Sequence, residues 1–343
     1  MSPYEVRLTP GYVAQHAPGS SPQGRSAALI DVAQDLLLRE LHDRDLLPLL
    51  AYKGGTAIRK VYAGASGRFS TDLDFAVRNI DDSHSDLTEL LTSACTGIEI
   101  GGIRFGVRAH RGKLHLTYQS ELASDMGQLS SKLDIGPPPW LEPQHRGWQP
   151  LPIHSRYGGP LPLLPVVRLE ENMAEKMARL NRRTYARDVY DLVWIAEQAG
   201  PSVDRSLLRR LFVLKCWVDL HGLDSAHHRW QPTQGSQRLD INHWLRRRLA
   251  SEFDGEQIGL LTKPPPDLND LGAELPKYYG WLAELDTDER TVASGFAKDR
   301  ALVHAMLDAL PGQRLQGRVR QRHRWAECPD GDSRAREEQT QMP

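Results

Sequence analysis

Three consecutive prolines at positions 137–139 divide the chain into two stretches of different periodicity. Proline supplies no amide donor and fixes its own φ, so neither a helix nor a strand ladder runs through such a triplet. Before it, apolar residues switch between helical and strand spacing; after it, the periodic segments are almost all helical. The 343 residues are enough for two modest cores. The pattern predicts an irregular lead-in over 1–25, an α/β domain over 26–160, a helical domain over 161–310 and a flexible, arginine-rich tail over 311–343.

Within the first stretch, Leu29, Val32, Ala33, Leu36, Leu37 and Leu41 mark a helix running over 26–50. A short helix is expected over 56–62, a strand over 72–77 and a helix over 83–96 opening at a Ser83 cap. Strands follow over 102–107, 113–119 and 129–135, and residues 137–165 read as a connecting segment. Helical spacing then covers 166–181, 186–199, 204–220, 242–253 and 289–310.

Composition narrows the function classes. Apolar residues make up 40% and charged residues 25%, with a net charge of -1, so any nucleic-acid partner needs a local basic face. Cys95, Cys216 and Cys328 stand far apart, which argues against a disulfide framework or a zinc site. The N-terminus lacks a basic-then-apolar signal pattern, and no apolar run approaches about 18 residues. A cytoplasmic protein without a membrane span is expected. His221, His227 and His228 lack metal-site spacing and read as structural or solvent-facing.

The chemistry concentrates between residues 53 and 74. Gly54-Gly55-Thr56 opens a short helix, where glycines allow close backbone approach and the helix start offers unpaired N–H groups to phosphate. Asp72 and Asp74 flank one residue of a strand, so both carboxylates face the same way. Two carboxylates aimed together call for a hard divalent cation, Mg2+ with Mn2+ as substitute, which keeps positions open for triphosphate oxygens. Asp134, on the strand over 129–135, supplies a third acid as metal ligand or base, and Lys132 on the same face reaches phosphate.

The ordered set Lys53-Gly-Gly-Thr-Ala-Ile-Arg-Lys-Val-Tyr62, Arg68-Phe-Ser-Thr-Asp-Leu-Asp-Phe75 and Arg187-Asp-Val-Tyr-Asp191-Leu resembles the AbiEii/AbiGii nucleotidyltransferase toxins, with MenT-like toxins as the relevant branch. The likeness covers about residues 26–225. It implies a polymerase-β-like nucleotidyltransferase core joined to a C-terminal helical domain. It also implies a nucleoside triphosphate (NTP) substrate, catalytic roles for Asp72, Asp74, Lys176 and Asp191, and nucleotide contacts from Ser70 and Arg187. Lys176 would bind the triphosphate, with Asp191 orienting it. Threonine stands at position 56 where many polymerase-β relatives carry serine, which preserves the hydroxyl.

Basic residues outnumber acids between Lys176 and Lys215. Arg179, Arg182, Arg183, Arg209 and Arg210 form a candidate RNA surface, with Arg246-Arg247-Arg248 as an extension. The family resemblance implies a tRNA 3′ end as acceptor and a cognate antitoxin as partner. A small-molecule or protein nucleotidyltransferase, and a catalytically silent interaction module, remain open alternatives on the residues alone.

Overall fold

The computed structural model describes residues 5–78, 84–110, 113–122, 128–198, 202–224, 228–254 and 266–312. The Ser83 cap, His227 and the tail beyond Gly312 therefore lie outside the described residues.

The N-terminal part begins with α1 (Pro10–His16) and α2 (Pro22–Asp43), followed by β1 (Leu50–Lys53) and α3 (Gly54–Ala57). α3 widens into π-helical turns over Ile58–Ala63. Next come β2 (Leu73–Val77), α4 (His84–Cys95), β3 (Glu99–Ile100), β4 (Ile103–His110), β5 (Lys113–Ser120), β6 (Leu129–Gly136), β7 (Gln144–Arg146) and β8 (Leu164–Val166). The rest comprises α5 (Leu169–Leu180), α6 (Ala186–Gln198), α7 (Arg205–His221), the hairpin β9 (Leu223–Asp224) and β10 (Arg229–Trp230), α8 (Ile241–Trp244), α9 (Leu268–Tyr279), α10 (Thr287–Ala293) and α11 (Arg300–Asp308).

β3-β4-β5-β6-β2-β1-β8-β7 form one mixed sheet in that order. β2 lies parallel to β6 and antiparallel to β1, and β1 runs parallel to β8. This register places Asp74 directly beside Asp134 on one side and Lys53 on the other. Three neighbouring strands thus deliver two acids and a cation to one end of the sheet.

Several expectations are corrected. The helix over 26–50 ends at Asp43, and Asp45 turns the chain with φ 58°. Residues 50–53 then form a central strand whose Leu50, Ala51 and Tyr52 are all buried, so it shows no alternation to separate it from the helical run before it. The lead-in contains α1, capped by Thr9 through the Tyr12 amide. The connecting segment 137–165 supplies β7 and most of β8, which pair antiparallel at the sheet edge.

The helix over 242–253 shrinks to α8 because the following arginines divert local groups. Arg248 donates to the Trp244 carbonyl at 2.8 Å, and Arg246 pairs with Glu252, which also accepts from the Leu249 amide. The helix over 289–310 breaks at Gly295, whose φ of 68° ends α10 before α11 begins. α9 was not foreseen: Leu268, Leu271, Leu275 and Tyr279 carry helical spacing, but Pro276 interrupts the signal.

Two hydrophobic cores result. α2, α4 and the sheet enclose Leu36, Leu37, Phe75, Phe105 and Tyr118. Met177, Leu192, Phe212, Trp217, Trp244 and Tyr279 centre the other, which also takes in Trp140 and Leu141 from just beyond the prolines. Glu171 of α5 fixes that junction by accepting from the Trp140 and Leu141 amides at 2.8 and 2.9 Å. Burying this charged carboxylate is feasible because Lys215 reaches it at 2.8 Å.

Candidate active site

A cleft of about 310 Å³ opens between the two cores, lined from β1, α3, β2, β6, α5 and α6. Its floor is the glycine turn. Gly54 adopts φ 76°, and a Cβ there would stand 2.2 Å from Asp74 Oδ2, so only glycine lets the backbone pass this close to the acid. Asn172 of α5 clasps the same residue twice, accepting from its N–H at 3.3 Å and donating to its carbonyl at 3.2 Å. Gly55 is crowded differently: its Cβ would meet Arg68 Nη2 at 2.3 Å.

Thr56 does not line the cleft. It is fully buried, and its hydroxyl bonds Ser70 Oγ at 2.8 Å and the Asp72 carbonyl. Its observed contacts hold the loop before β2 against α3, and Ser70 lines the cleft beside it.

Asp72 and Asp74 both line the cleft, together with Asp134. Burial raises the Asp74 carboxyl above its ordinary range; Asp72 and Asp134 add to the rise and Lys53 opposes it. The acids are thus under mutual repulsion of the kind a divalent cation relieves. Asp134 turns its carboxylate to Lys132 at 2.9 Å, and Asp72 accepts from Arg187 at 3.2 Å. Among the described residues no group of three or more His, Cys, Asp and Glu side chains converges as a metal cage. The three aspartates share a cleft, and Asp74 and Asp134 are register partners, but Asp134 is engaged elsewhere. Asp72 and Asp74 suit a hard cation in donor type and placement, and Asp134 does so once released from Lys132.

The opposite wall is cationic and tightly held. Lys176 is buried, with Nζ 2.9 Å from both Asp188 and Asp191. Asp191 also accepts two hydrogen bonds from Arg68, and Arg179 reaches Asp188 at 3.2 Å. Burial works against ionised Asp188, but Lys176 and Arg179 prevail and lower its pKa to about 2. Glu175 follows the same logic: burial would raise it, yet Lys53 at 3.0 Å and Lys215 hold it at about 2. Asp191 does not line the cleft and acts on it through Lys176 and Arg68.

Lys53, Arg68, Asn172, Glu175 and Tyr185 line the cleft without having been assigned a role from sequence. A signal existed for some of them. Asn172, Lys176 and Arg179 follow helical i, i+4 and i+7 spacing, with Glu175 beside them, so they share one face of α5.

The expected arginine surface is not one surface. Arg209 bonds the buried Glu289 at 2.6 Å, Arg210 lies 3.9 Å from Asp286, and Arg182 bonds Asp219 at 3.0 Å. These three engage acids of α7, α10 and the turn before α10. Arg179 lines the cleft, and Arg183 is largely exposed near it, 5.8 Å from the Tyr185 ring. Arg246 and Arg248 are engaged locally as described above. His221 is structural, bonded to the Gly295 carbonyl and packed 4.7 Å from Trp217.

The family model described as Nucleotidyl transferase AbiEii toxin, Type IV TA system, matches residues 35–269, more than half of the chain. The chain belongs to the AbiEii nucleotidyltransferase toxin family. The solved structure of MenT4, a nucleotidyltransferase toxin from Mycobacterium tuberculosis H37Rv, is similar at a TM-score of 0.75 and 34% identity. That match covers 88% of this chain and 99% of the MenT4 chain. No curated protein sequence matches the chain significantly. As an AbiEii-type toxin the protein is an enzyme, with a nucleotidyltransferase fold and a C-terminal helical region. No described helix is long and apolar enough to cross a membrane.

Proposed function

We propose that this AbiEii-type toxin transfers a nucleoside monophosphate from an NTP to the 3′ end of a tRNA, with Mg2+ (or Mn2+) held by Asp72 and Asp74. The observation that carries this reading is the meeting of Asp72, Asp74, the Gly54–Gly55 turn and Lys176 in one cleft. Asp134 is the third acid of the set. The cation would screen the triphosphate and polarise the α-phosphoryl group under attack.

The chain's own residues do the rest. Gly54 and Gly55 let phosphate oxygens approach the backbone without a Cβ in the way. Lys176 and Arg187 offset charge developing on the departing pyrophosphate. Asp188 and Asp191, each 2.9 Å from Nζ, restrict where the Lys176 ammonium sits. Lys132 reaches the phosphates from β6. Fixing donors before the reaction is where such transfers gain most of their rate. Arg183 and Arg179 flank the cleft with positive charge for an RNA backbone, a narrower surface than the arginine run in sequence suggested. A cognate antitoxin is the expected protein partner, in keeping with the family.

Purified protein incubated with total RNA, magnesium and each labelled triphosphate in turn tests the proposal. Label on tRNA that disappears with Asp74→Ala supports it. Label on protein or small molecules would replace the acceptor, and equal labelling by Asp74→Ala would sink the site.

A further inference from the structure

Residues 67–70 alternate between two cavities. Arg68 and Ser70 line the catalytic cleft, whereas Gly67 and Phe69 line a second cavity of about 390 Å³. α6 is shared in the same way, with Arg187 in the cleft and Tyr190 in the second cavity. None of the residues assigned above to the transfer reaction lines this second space.

Its lining has a definite sign. It includes Arg59 and Arg156 and no carboxylate. Arg59 is only 3% exposed; its Nη1 donates to the Gly64 and Gly67 carbonyls and its Nη2 lies 3.7 Å from the buried Asp31, while its Nε has no hydrogen-bond partner. A buried donor left in that state favours an acceptor brought by a ligand. Arg156 lies 4.0 Å over the Tyr12 ring, and no ion pair joins it to a carboxylate among the described residues. Phe69, under the Arg59 guanidinium at 4.1 Å, and Tyr190 add aromatic rings to the lining.

We propose that this cavity binds a mononucleotide. The Arg156 guanidinium and the unpartnered Nε–H of Arg59 suit phosphate oxygens, aromatic rings suit a base, and the volume lies within the usual range for small-ligand pockets. Because Arg59 also ties down the Gly64 and Gly67 carbonyls, an occupant here bears on the loop that carries Arg68 into the cleft. The inference goes beyond the transfer reaction and does not depend on it.

The test is calorimetric titration of AMP, in the absence of metal, into the wild-type protein and into Arg156→Gln, Ala65→Trp and Asp74→Asn. Ala65 is an exposed lining residue, so a tryptophan there fills the cavity with little demand on the core. Binding should weaken by about tenfold or more in Arg156→Gln, vanish in Ala65→Trp and stay unchanged in Asp74→Asn. Inorganic phosphate should bind far more weakly than AMP. No binding of AMP, binding that follows Asp74→Asn instead of the cavity variants, or phosphate binding as tight as AMP would overturn the proposal. A short oligoadenylate that displaces AMP supports the site with a strand as its source; one that fails to displace it supports the site for free nucleotide.

Discussion

Arg68 donates two parallel hydrogen bonds to Asp191, Nε to Oδ1 and Nη2 to Oδ2, each 2.8 Å long. The pair joins the loop before β2 to α6, and Asp191 also holds Lys176 at 2.9 Å. One carboxylate therefore keeps two cleft cations in place. All three side chains are at most 4% exposed, so the network is both electrostatic and structural.

Asp191→Asn should therefore cost stability as well as activity. It removes the carboxylate that two buried cations share, and breaking such a network costs about 3 kcal/mol. Urea denaturation of the wild type and the variant measures the loss. Magnesium titration should be nearly unaffected, because Asp191 does not line the cleft. A variant of wild-type stability with weakened magnesium binding would instead make Asp191 a metal ligand.

Asp74 carries the opposite signature. Its folded carboxyl is raised, chiefly by burial and then by Asp72 and Asp134. A raised acid binds its proton more tightly in the folded state, so stability falls as pH climbs from the unfolded pKa through the folded one. Above that window the ionised group is a standing cost in metal-free protein. Asp74→Asn should thus raise the Tm of metal-free protein at neutral pH, by about 2 °C, while abolishing transfer. Added magnesium should narrow the difference by stabilising the wild type alone. Thermal melts with and without EDTA provide the comparison, and a destabilised Asp74→Asn at neutral pH would contradict it.

Gly54→Ala should be among the most damaging small substitutions. The new methyl would need a φ of 76° and would collide with Asp74 at 2.2 Å. The backbone strain alone costs about 1–3 kcal/mol. The displaced carboxylate should lower kcat by about 100-fold, since misplacement by about 1 Å is enough for that. Thr56→Ser is the control: it keeps the hydroxyl that bonds Ser70 and Asp72, and should retain most activity. Single-turnover kinetics on both variants distinguish misplacement from weaker nucleotide binding.

These residues also show what could be read in advance. Gly54, Gly55, Asp72 and Asp74 were legible because close approach and paired acids demand specific residue types at short spacing. β1 was not legible as a strand, since Leu50, Ala51 and Tyr52 are buried on both faces and break no helical pattern. Lys53 went unassigned for the same reason: only the pairing of β1 with β2 sets it opposite Asp74. The partner of Arg209, Glu289, lies 80 positions away in sequence, so the arginine run gave no sign of it. An arginine run looks the same whether its partner is a phosphate or a distant buried acid.

That last ambiguity gives a direct test of the acceptor surface. Arg209 is 16% exposed and bonds Glu289, which is fully buried and also caps the start of α10 through the Asp286 amide. Arg209→Ala should strand that acid and destabilise the protein by about 3 kcal/mol, with little effect on RNA affinity in the fraction that remains folded. Arg183 is 66% exposed, and its contact with Asp254 at 3.5 Å is too open to matter much for stability. Arg183→Glu should leave the melting curve within about 0.5 kcal/mol of wild type and weaken RNA binding while flattening its salt dependence. Filter binding over a salt series, alongside denaturation of both variants, separates the two roles. If Arg209→Ala lost RNA affinity at unchanged stability, the acceptor would run over α7 after all, and the cleft-edge assignment of Arg183 would fall with it.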